Sequence, residues 1–510
     1  MNLIEYQNLL GIDKEEVNAL ITAKKIIGLN RSPRAEEIIV SLTSYDKRID
    51  YVKYTIYSLL NQTFPPDKLI LWLDEDSFPQ REKNLPRDLL ELQKFGLTID
   101  WCENLSSYKK LIPALEKYPD AIIVTADDDI FYHPDWLKVL YEEHLKNPDC
   151  VIAHRAHRIR LDTRGNLFPY KLWQFEIKTC ITPPPKRYSN FFTGAGGILY
   201  SKKFFYERSG SFIQKKILYH DVLRRELFMN LSPSADDIWF WAMTVLNGTK
   251  IVIPIAAQSK LIYVDIDREL GNETLGAKNV GEGKNDIQLR QVIEKYPAVL
   301  EILIREAADF KPYLSVIMLV EDVRKLNACL QNIFAQRFPD FELIVVNCGS
   351  RVEIPNPPTN FKIIHYPGGS ELDAFNLGLQ KAAGEYILFK DADSFLTASA
   401  LDNIAQLAIN LKADVIHFAG HLKDDKFIFD DALKFEINAP IFFEETKQNR
   451  AAFWLQGKLN NRLATKIFNR EFLMQHKINF EGGLTEFMFQ ALIYAKKYLL
   501  VPQAFCKCKD

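Results

Sequence analysis

The 510-residue chain has no run of about 18 uncharged apolar residues, which excludes a membrane-spanning helix of ordinary length. Its opening, MNLIEYQNLLGIDKEEVNAL, brings acids in early and lacks the basic, apolar and small-residue segments of a secretory signal. It reads instead as one or two amphipathic helices. No charge of one sign dominates. The net charge is −2, so no overall basic field draws the chain to nucleic acid, and no nucleic-acid partner is expected. Cysteine is scarce and scattered, with seven in all. Only Cys506 and Cys508 stand close together, without a second Cys or His pair at zinc-like spacing. Reduced thiols and a cytoplasmic location follow as expectations, compatible with peripheral attachment at the inner face of a cell membrane. What is present is ordinary for a globular protein, 47% hydrophobic and 25% charged. The length exceeds one ordinary core and implies two or three domains.

Two parts of the chain begin alike. A short apolar strand at residues 37–42 (EIIVSL) leads through a polar loop into a helix bearing Val52, Ile56 and Leu59 on one face. A second strand at 314–320 (LSVIMLV) leads into a helix near 326–334. Each helix runs into the same phrase, NQTFPPDKLILWLD with Gln62 and AQRFPDFELIVVNC with Gln336. Each phrase is followed by an apolar strand ending in Asp-x-Asp, Asp127 with Asp129 and Asp391 with Asp393. Each Asp-x-Asp is followed by an acid opening an aromatic-rich helix, Asp236-Asp237 and then Glu486. Three landmarks in one order predict a duplicated domain. Alternating strands and helices predict an α/β fold with mainly parallel central sheets, binding ligands at the carboxyl ends of their strands. The expected division is a helical extension at 1–35, a first domain at 36–296, a helical linker at 297–312 and a second domain at 313–510.

The acidic clusters carry the chemistry. Asp127-Asp128-Asp129 follow a buried-type strand, and three adjacent carboxylates repel one another unless a cation sits among them. Oxygen ligands suit Mg²⁺ or Mn²⁺ bridging to phosphate; a solvated acidic turn is the alternative. Asp236 and Asp237 open an apolar helix, either as N-terminal caps or as a general base with its partner. Lys109 and Lys110 could meet a diphosphate or simply begin a solvated helix. Gly194, Gly196 and Gly197 permit close approach to a ligand or a tight turn. The pairs His154-Arg155 and His157-Arg158 suit either an anionic substrate or a solvent-facing edge strand. The stretch around Asn279, Asn285 and Asp286 has the glycine content of a lid or of a plain surface loop.

The second half resembles family 2 glycosyltransferases of the GT-A fold, carried by LSVIMLV, FELIVVNCGS, AFNLGLQKAAGEYILFKDADSFL and TKIFNREFLMQHKINFEGG. The first half resembles related GT-A enzymes of bacterial capsule and lipopolysaccharide loci, carried by SLTSYDKRI, NLSSYKKLIPAL, VTADDDI, TGAGGILY and SADDIWFWAM. The resemblance implies two tandem GT-A, Rossmann-like domains. It implies a metal-dependent, inverting transferase that moves a sugar from a nucleotide-sugar donor, with a UDP-sugar foremost, to a glycan or lipid-linked glycan acceptor. By that resemblance Ser41, Thr43, Tyr45, Arg48 and Asp74 line the nucleotide pocket, and Lys109 or Lys110 faces the donor. Asp127 and Asp129 hold Mn²⁺ or Mg²⁺ and the diphosphate, with Asp128 beside them, and Asp237 assisted by Asp236 is the base. In the second half Asn376 and Asp391 would bind donor, Asp391 and Asp393 would hold metal, and Glu486 would be the base. That half departs from its pattern: Leu319-Val320-Glu321-Asp322 replaces the usual opening, Asn347-Cys348-Gly349-Ser350 lacks two acids, and Thr485-Glu486 lacks one. It is either a second working transferase, making the chain bifunctional, or a binding or scaffold module. Transfer of another phosphorylated group on the same fold is the alternative chemistry.

Overall fold

The computed structural model describes residues 10–205, 221–258, 260–265 and 283–508, apart from 323, 325, 351–353, 355, 356, 393, 419, 424, 425, 430–438, 444, 445, 458, 460 and 461. The chain forms two compact units. The first comprises residues 1–159, 169–176 and 184–306, and the second residues 160–168, 177–183 and 307–510.

The first unit is built on seven strands: β1 (Ile38–Thr43), β2 (Lys68–Asp74), β3 (Leu97–Cys102), β4 (Ile122–Ala126), β5 (Val151–Ala153), β6 (Ile198–Tyr200) and β7 (Ile251–Val252). They lie in the order β7-β5-β6-β4-β1-β2-β3. All neighbours are parallel except at β6, which runs antiparallel to β4 and β5. The central strands β1 and β4 read as continuous apolar runs because both of their faces are covered, and nearly every residue in them is buried. The helix Asp236–Leu246 is apolar all round and buried along almost its whole length, as expected of an interior helix. Near the start of the described chain, Asp13 caps the helix Lys14–Thr22 by accepting the amides of Glu15 and Glu16. The helix Ala298–Ala308, at the position read as a linker, buries Val299 and Leu303. Its Glu306 carboxylate accepts the amides of Tyr188 and Ser189 at 2.7 and 2.8 Å, tying it into the first unit.

The second unit carries eight strands: β8 (Leu314–Val320), β9 (Phe341–Asn347), β10 (Phe361–His365), β11 (Tyr386–Asp391), β12 (Val415–Phe418), β13 (Ile441–Phe442), β14 (Lys466–Asn469) and β15 (Tyr498–Val501). Their order is β10-β9-β8-β11-β14-β12-β15-β13. Read from β3 and from β10, the two sheets share one order over seven strands, and β13 adds an eighth at the edge of the second. In each, an antiparallel strand, β6 or β14, is inserted between the acidic strand and the next parallel pair. Alternate residues of β8 point to opposite faces: Val316, Met318 and Val320 join one core cluster, Ile317 and Leu319 the other. Two short segments of the first half complete this unit. The Leu161 carbonyl accepts the Thr359 amide at 3.0 Å, and the Arg160 guanidinium lies 4.1 Å over the Phe334 ring.

The recurring phrase has a structural reason. Gln62 is fully buried, donates to the His133 carbonyl and accepts the Leu137 amide, each at 3.0 Å. Gln336 does the same with the Thr397 carbonyl at 2.9 Å and the Leu401 amide at 3.2 Å. In both units one glutamine ties the first helix to the chain leaving the acidic strand, which satisfies buried backbone groups that would otherwise be costly. Cys506 and Cys508 lie in a short strand paired with Ser394–Leu396. Among the described residues, no disulfide joins Cys102, Cys150, Cys180, Cys329, Cys348 or Cys506.

Candidate active site

Strand β4 delivers three acids whose side chains part ways. Asp128 turns inward and is buried, taking a hydrogen bond from the Ser44 hydroxyl at 2.6 Å and an ion pair from Arg48 at 2.7 Å. Arg48 also reaches Asp129 at 2.5 Å. Burial alone would lower the Arg48 pKa, but Asp128 and Asp129 reverse this and hold the guanidinium charged. Asp127 faces the other way, with Lys110 at 2.8 Å from its Oδ1. Asp127 and Asp129 are partly open, at 28% and 24% side-chain exposure. The Asp127 amide donates to the Tyr132 hydroxyl at 2.8 Å, and that hydroxyl donates to the Ala195 carbonyl at 3.2 Å. The acidic strand is thereby fastened to the glycine turn.

That turn, Gly194–Gly196, sits at the centre of the cluster. The Gly194 amide donates to Asp237 Oδ2 at 3.0 Å. A Cβ added at Gly194 would lie 2.7 Å from Lys110 Nζ, 3.3 Å from Asp237 Oδ1 and 3.4 Å from Asp127 Oδ1. Gly197 has φ +93°, and a Cβ there would lie 2.3 Å from the Trp136 ring, whose indole N–H donates to the Gly196 carbonyl at 2.7 Å. The glycines are therefore a packing requirement of the site.

Lys110 is buried and bridges two elements far apart in sequence, Asp127 at 2.8 Å and Asp236 at 3.2 Å. Burial works against its charge, but Asp127, Asp236 and Asp237 outweigh that and raise its pKa well above the usual value. Its carbonyl accepts the Ser41 hydroxyl at 2.6 Å, and Ser41 in turn accepts the Trp72 indole N–H at 3.0 Å. Lys109 points elsewhere and pairs with buried Asp74. Despite burial, Lys109 and the Ser77 amide hold the Asp74 carboxyl below its ordinary range. Asp237 behaves oppositely. Burial first, and Asp236 second, push its pKa up to about 7, the range of a general base at neutral pH. Its Oδ1 is buried without a hydrogen-bond partner among the described residues.

The predicted residues sort as follows. Asp127, Asp129, Lys110, Asp236 and Asp237 converge, with Arg48 behind them. Ser41 is fully enclosed and acts on the Lys110 turn. Thr43 donates to the Trp72 carbonyl at 2.8 Å, and Tyr45 is exposed with Arg48 5.7 Å over its ring. The histidines are interior. His154 Nδ1 accepts the Gln258 amide while Nε2 faces the Trp136 carbonyl, each at 2.9 Å, and burial depresses its pKa to about 4. His157 is buried with its pKa well below the usual value, burial being the main cause. Neither lies on a solvent-facing strand. Asn279 lies outside the described residues. Asn285 is buried, and Asp286 accepts the Tyr170 amide at 2.7 Å, so this end of the glycine-containing stretch is docked. Tyr132 and Trp136 give no signal in the sequence, because aromatic side chains near a motif carry no pattern of their own.

The second unit assembles differently. Asp391 is exposed at the end of β11, and Asp393 lies outside the described residues. Lys390 is buried and donates to the Asp391 carbonyl at 2.8 Å. Asn347 folds its own loop, accepting the Gly349 amide at 3.0 Å and donating to the Ser350 carbonyl at 2.8 Å. Asn376 accepts the Phe480 amide at 2.9 Å. Glu486 is exposed and accepts from Gln490 at 2.8 Å. The turn leading into β14 is Leu463–Thr465, which contains no glycine, whereas the turn before β6 is Gly194–Gly196. Among the described residues, no group of three or more His, Cys, Asp or Glu forms a ready metal cage in either unit.

Two mainly parallel α/β sheets with acids at their strand ends define a nucleotide-sugar transferase type of fold. The family model for glycosyl transferase family 2 matches residues 39–209 and 316–473, more than half of the chain, and the chain belongs to that family. EpsH of Bacillus subtilis (strain 168), named as a glycosyltransferase, is 23% identical over 201 residues, 36% of this chain and 57% of that protein. YibD of Escherichia coli (strain K12), also named as a glycosyltransferase, is 24% identical over 200 residues, 32% of this chain and 52% of that protein. The chain thus spans about half the length of these relatives. Among solved structures, S. aureus TarS 1-349 in complex with UDP-GlcNAc aligns with a TM-score of 0.32 and 20% identity, covering 39% of this chain and 58% of that one. The mannosyltransferase PcManGT from Pyrobaculum calidifontis, in complex with GDP-Man and Mn²⁺, aligns at 0.27 and 15%, covering 39% and 57%. No helix among the described residues is long and apolar enough to cross a membrane.

Proposed function

We propose that the first unit transfers a sugar from a nucleoside-diphospho-sugar to an acceptor hydroxyl with inversion, and that Asp237 is the base. The observation that carries this reading is a half-buried carboxyl, its Oδ1 enclosed, with a pKa of about 7, held by the Gly194 amide beside the Lys110–Asp127 pair. The acceptor oxygen attacks the anomeric carbon from the face opposite the diphosphate. The bond from that carbon to the diphosphate oxygen breaks, its electron pair leaves with the nucleoside diphosphate, and the acceptor proton passes to Asp237. One carboxylate suffices, because no covalent sugar intermediate forms. Lys110 holds Asp236 beside the base and offers positive charge to the leaving group.

The donor set also suits a divalent ion. Asp127, Asp128, Asp129, Asp236 and Asp237 gather around Arg48 and Lys110, and a diphosphate entering among these carboxylates is helped by further positive charge that comes with it. Mg²⁺ and Mn²⁺ need only one or two protein carboxylates when phosphate and water complete their shell. Asp127 and Asp129 would hold the ion, which would supply positive charge against the leaving diphosphate.

For the second unit we infer a binding or supporting role. Glu486 is exposed and engaged with Gln490, and the turn before β14, Leu463–Thr465, has no glycine to leave space beside the acids. The acceptor we infer is a glycan, free or lipid-linked, of a bacterial surface polysaccharide; the relatives named as glycosyltransferases are the support. Transfer of another phosphorylated group is the reading to be tested against it. Incubating the protein with UDP-, GDP- and CMP-sugars, with and without Mn²⁺, tests the proposal. Nucleoside diphosphate release with one donor, lost in Asp127→Asn and Asp237→Asn, supports it. No release and no donor-induced rise in Tm with any donor defeats it.

A further inference from the structure

Next to the base lies a surface that the donor chemistry does not use. It starts at the glycine turn. Thr193 immediately precedes Gly194, and its hydroxyl accepts Arg155 Nη1 at 2.8 Å. A Cβ at Gly196 would lie 2.5 Å from Arg155 Cβ, so the arginine is pressed against the turn that positions Asp237. Arg155 Nη2 reaches Glu176 Oε1 at 3.1 Å. The two side chains are partly open, at 19% and 28% exposure, and Arg155 Nε is buried with no hydrogen-bond partner among the described residues.

Glu176 is held in an unusual backbone conformation. Its φ is +47°, in the left-handed region that a glutamate rarely enters. Such strain persists only where surrounding contacts fix it, and it gathers at ligand sites. Here the fixing contact is the Glu176 amide, which donates to the Nδ1 of buried His157 at 3.0 Å. Since Nδ1 accepts, the imidazole is the neutral tautomer, and the strained residue rests on a rigid interior group.

The residue before it completes the picture. The Phe175 ring packs on His157 at 4.4 Å and meets Tyr170 edge-on at 5.7 Å. Tyr170 and Trp173 beneath are buried, yet Phe175 is 36% exposed and Leu172 is 47% exposed. A rigid aromatic with a free face, next to a fixed carboxylate–guanidinium pair, offers two surfaces at once. One suits the C–H face of a pyranose ring, and the other suits its hydroxyls, which both donate and accept.

We propose that Phe175, Glu176 and Arg155 form an acceptor-sugar subsite. The acceptor ring stacks on Phe175, and its hydroxyls bond to the Glu176 carboxylate and the Arg155 guanidinium. Its nucleophilic hydroxyl is thereby presented to Asp237 across the Gly194 turn. This inference rests on the transferase reading above for what happens next, but binding itself does not depend on it.

The test uses methyl hexopyranosides as probes of the full chain, by saturation-transfer difference NMR without donor. At least one glycoside should take up saturation at its ring C–H protons. Phe175→Ala should lower that signal about tenfold, equivalent to about 1.4 kcal/mol, and Glu176→Gln should lower it as well. Phe175→Tyr, which keeps the ring, should restore it and show that the loss is not misfolding. Adding a nucleotide sugar should not displace the glycoside. Absence of any wild-type signal, an unchanged signal in Phe175→Ala, or displacement by donor would each overturn the subsite. The donor-induced Tm shift, measured on the same samples, reports separately on the transferase reading.

Discussion

Asp237→Asn should make the protein more stable at alkaline pH while removing its chemistry. In the unfolded chain this carboxyl titrates near its ordinary value of 3.8, whereas in the fold it keeps its proton to about 7. Between those values the unfolded state binds fewer protons, so stability falls as pH rises through the window and levels off above about 7. A carboxyl moved this far carries a penalty of about 4 kcal/mol at pH 8. Asparagine removes the charge and can still accept the Gly194 amide. Its new NH₂ faces the position where Asp237 Oδ1 has no hydrogen-bond partner. An unsatisfied buried donor costs about 1–3 kcal/mol, which leaves a net gain of about 2 kcal/mol. The assay is Tm by differential scanning fluorimetry from pH 4 to pH 8.5, for wild type and variant. The variant should lie below wild type near pH 4, cross it between about pH 5 and 6, and lie above it by pH 8. Parallel curves, or a variant less stable at pH 8, would refute the claim that burial and Asp236 raise this carboxyl.

Three further substitutions probe the same cluster. Gly194→Ala should push the Lys110 ammonium from its pairs with Asp127 and Asp236, since the new Cβ would lie 2.7 Å from Nζ. The ammonium ends a flexible stem, so the fold should survive with little change in Tm, while kcat for transfer drops by about 10²-fold through misplacement. Lys110→Met leaves Asp127, Asp236 and Asp237 without their shared cation. Removing one partner of a buried pair costs about 3–5 kcal/mol, and the loss in Tm should be larger at pH 8 than at pH 5, where Asp237 keeps its proton. Gln62→Leu should cost about 2–3 kcal/mol, because the buried His133 carbonyl and Leu137 amide lose their partner. Chemical denaturation with a first-unit fluorescence probe would check it, and an unchanged midpoint would mean that water replaces the side chain.

The duplication was legible because it is written in residues whose jobs repeat. Gln62 and Gln336 recur because each closes the same helix-to-loop joint, and the acids recur at the ends of strands in the same sheet position. The Lys109-Lys110 pair was legible as positive charge ahead of the acidic strand, but not as two opposite tasks. The short helical turn Ser106–Lys110 sends one lysine to Asp74 and the next to Asp127, and only the fold decides which. The Lys110–Asp236 contact joins residues far apart in sequence, so spacing gives no hint of it. The histidine pairs misled for a simpler reason. A His-Arg dipeptide looks polar, yet neutral His154 and His157 each satisfy a backbone group and can be buried like any aromatic. The departures of the second half at Asn347 and Thr485 were visible in the sequence. That Glu486 stands exposed, and that the turn before β14 lacks a glycine, needed the fold.

The central claim is that one unit does the chemistry and that its base is Asp237. The most direct measurement is nucleoside diphosphate release with the active donor and a glycan acceptor, comparing wild type, Asp237→Asn and Glu486→Gln. We predict that Asp237→Asn lowers the rate by at least about 10³-fold while its donor-induced Tm shift persists, and that Glu486→Gln stays within about twofold of wild type. Full activity in Asp237→Asn, or its loss in Glu486→Gln, would contradict the account.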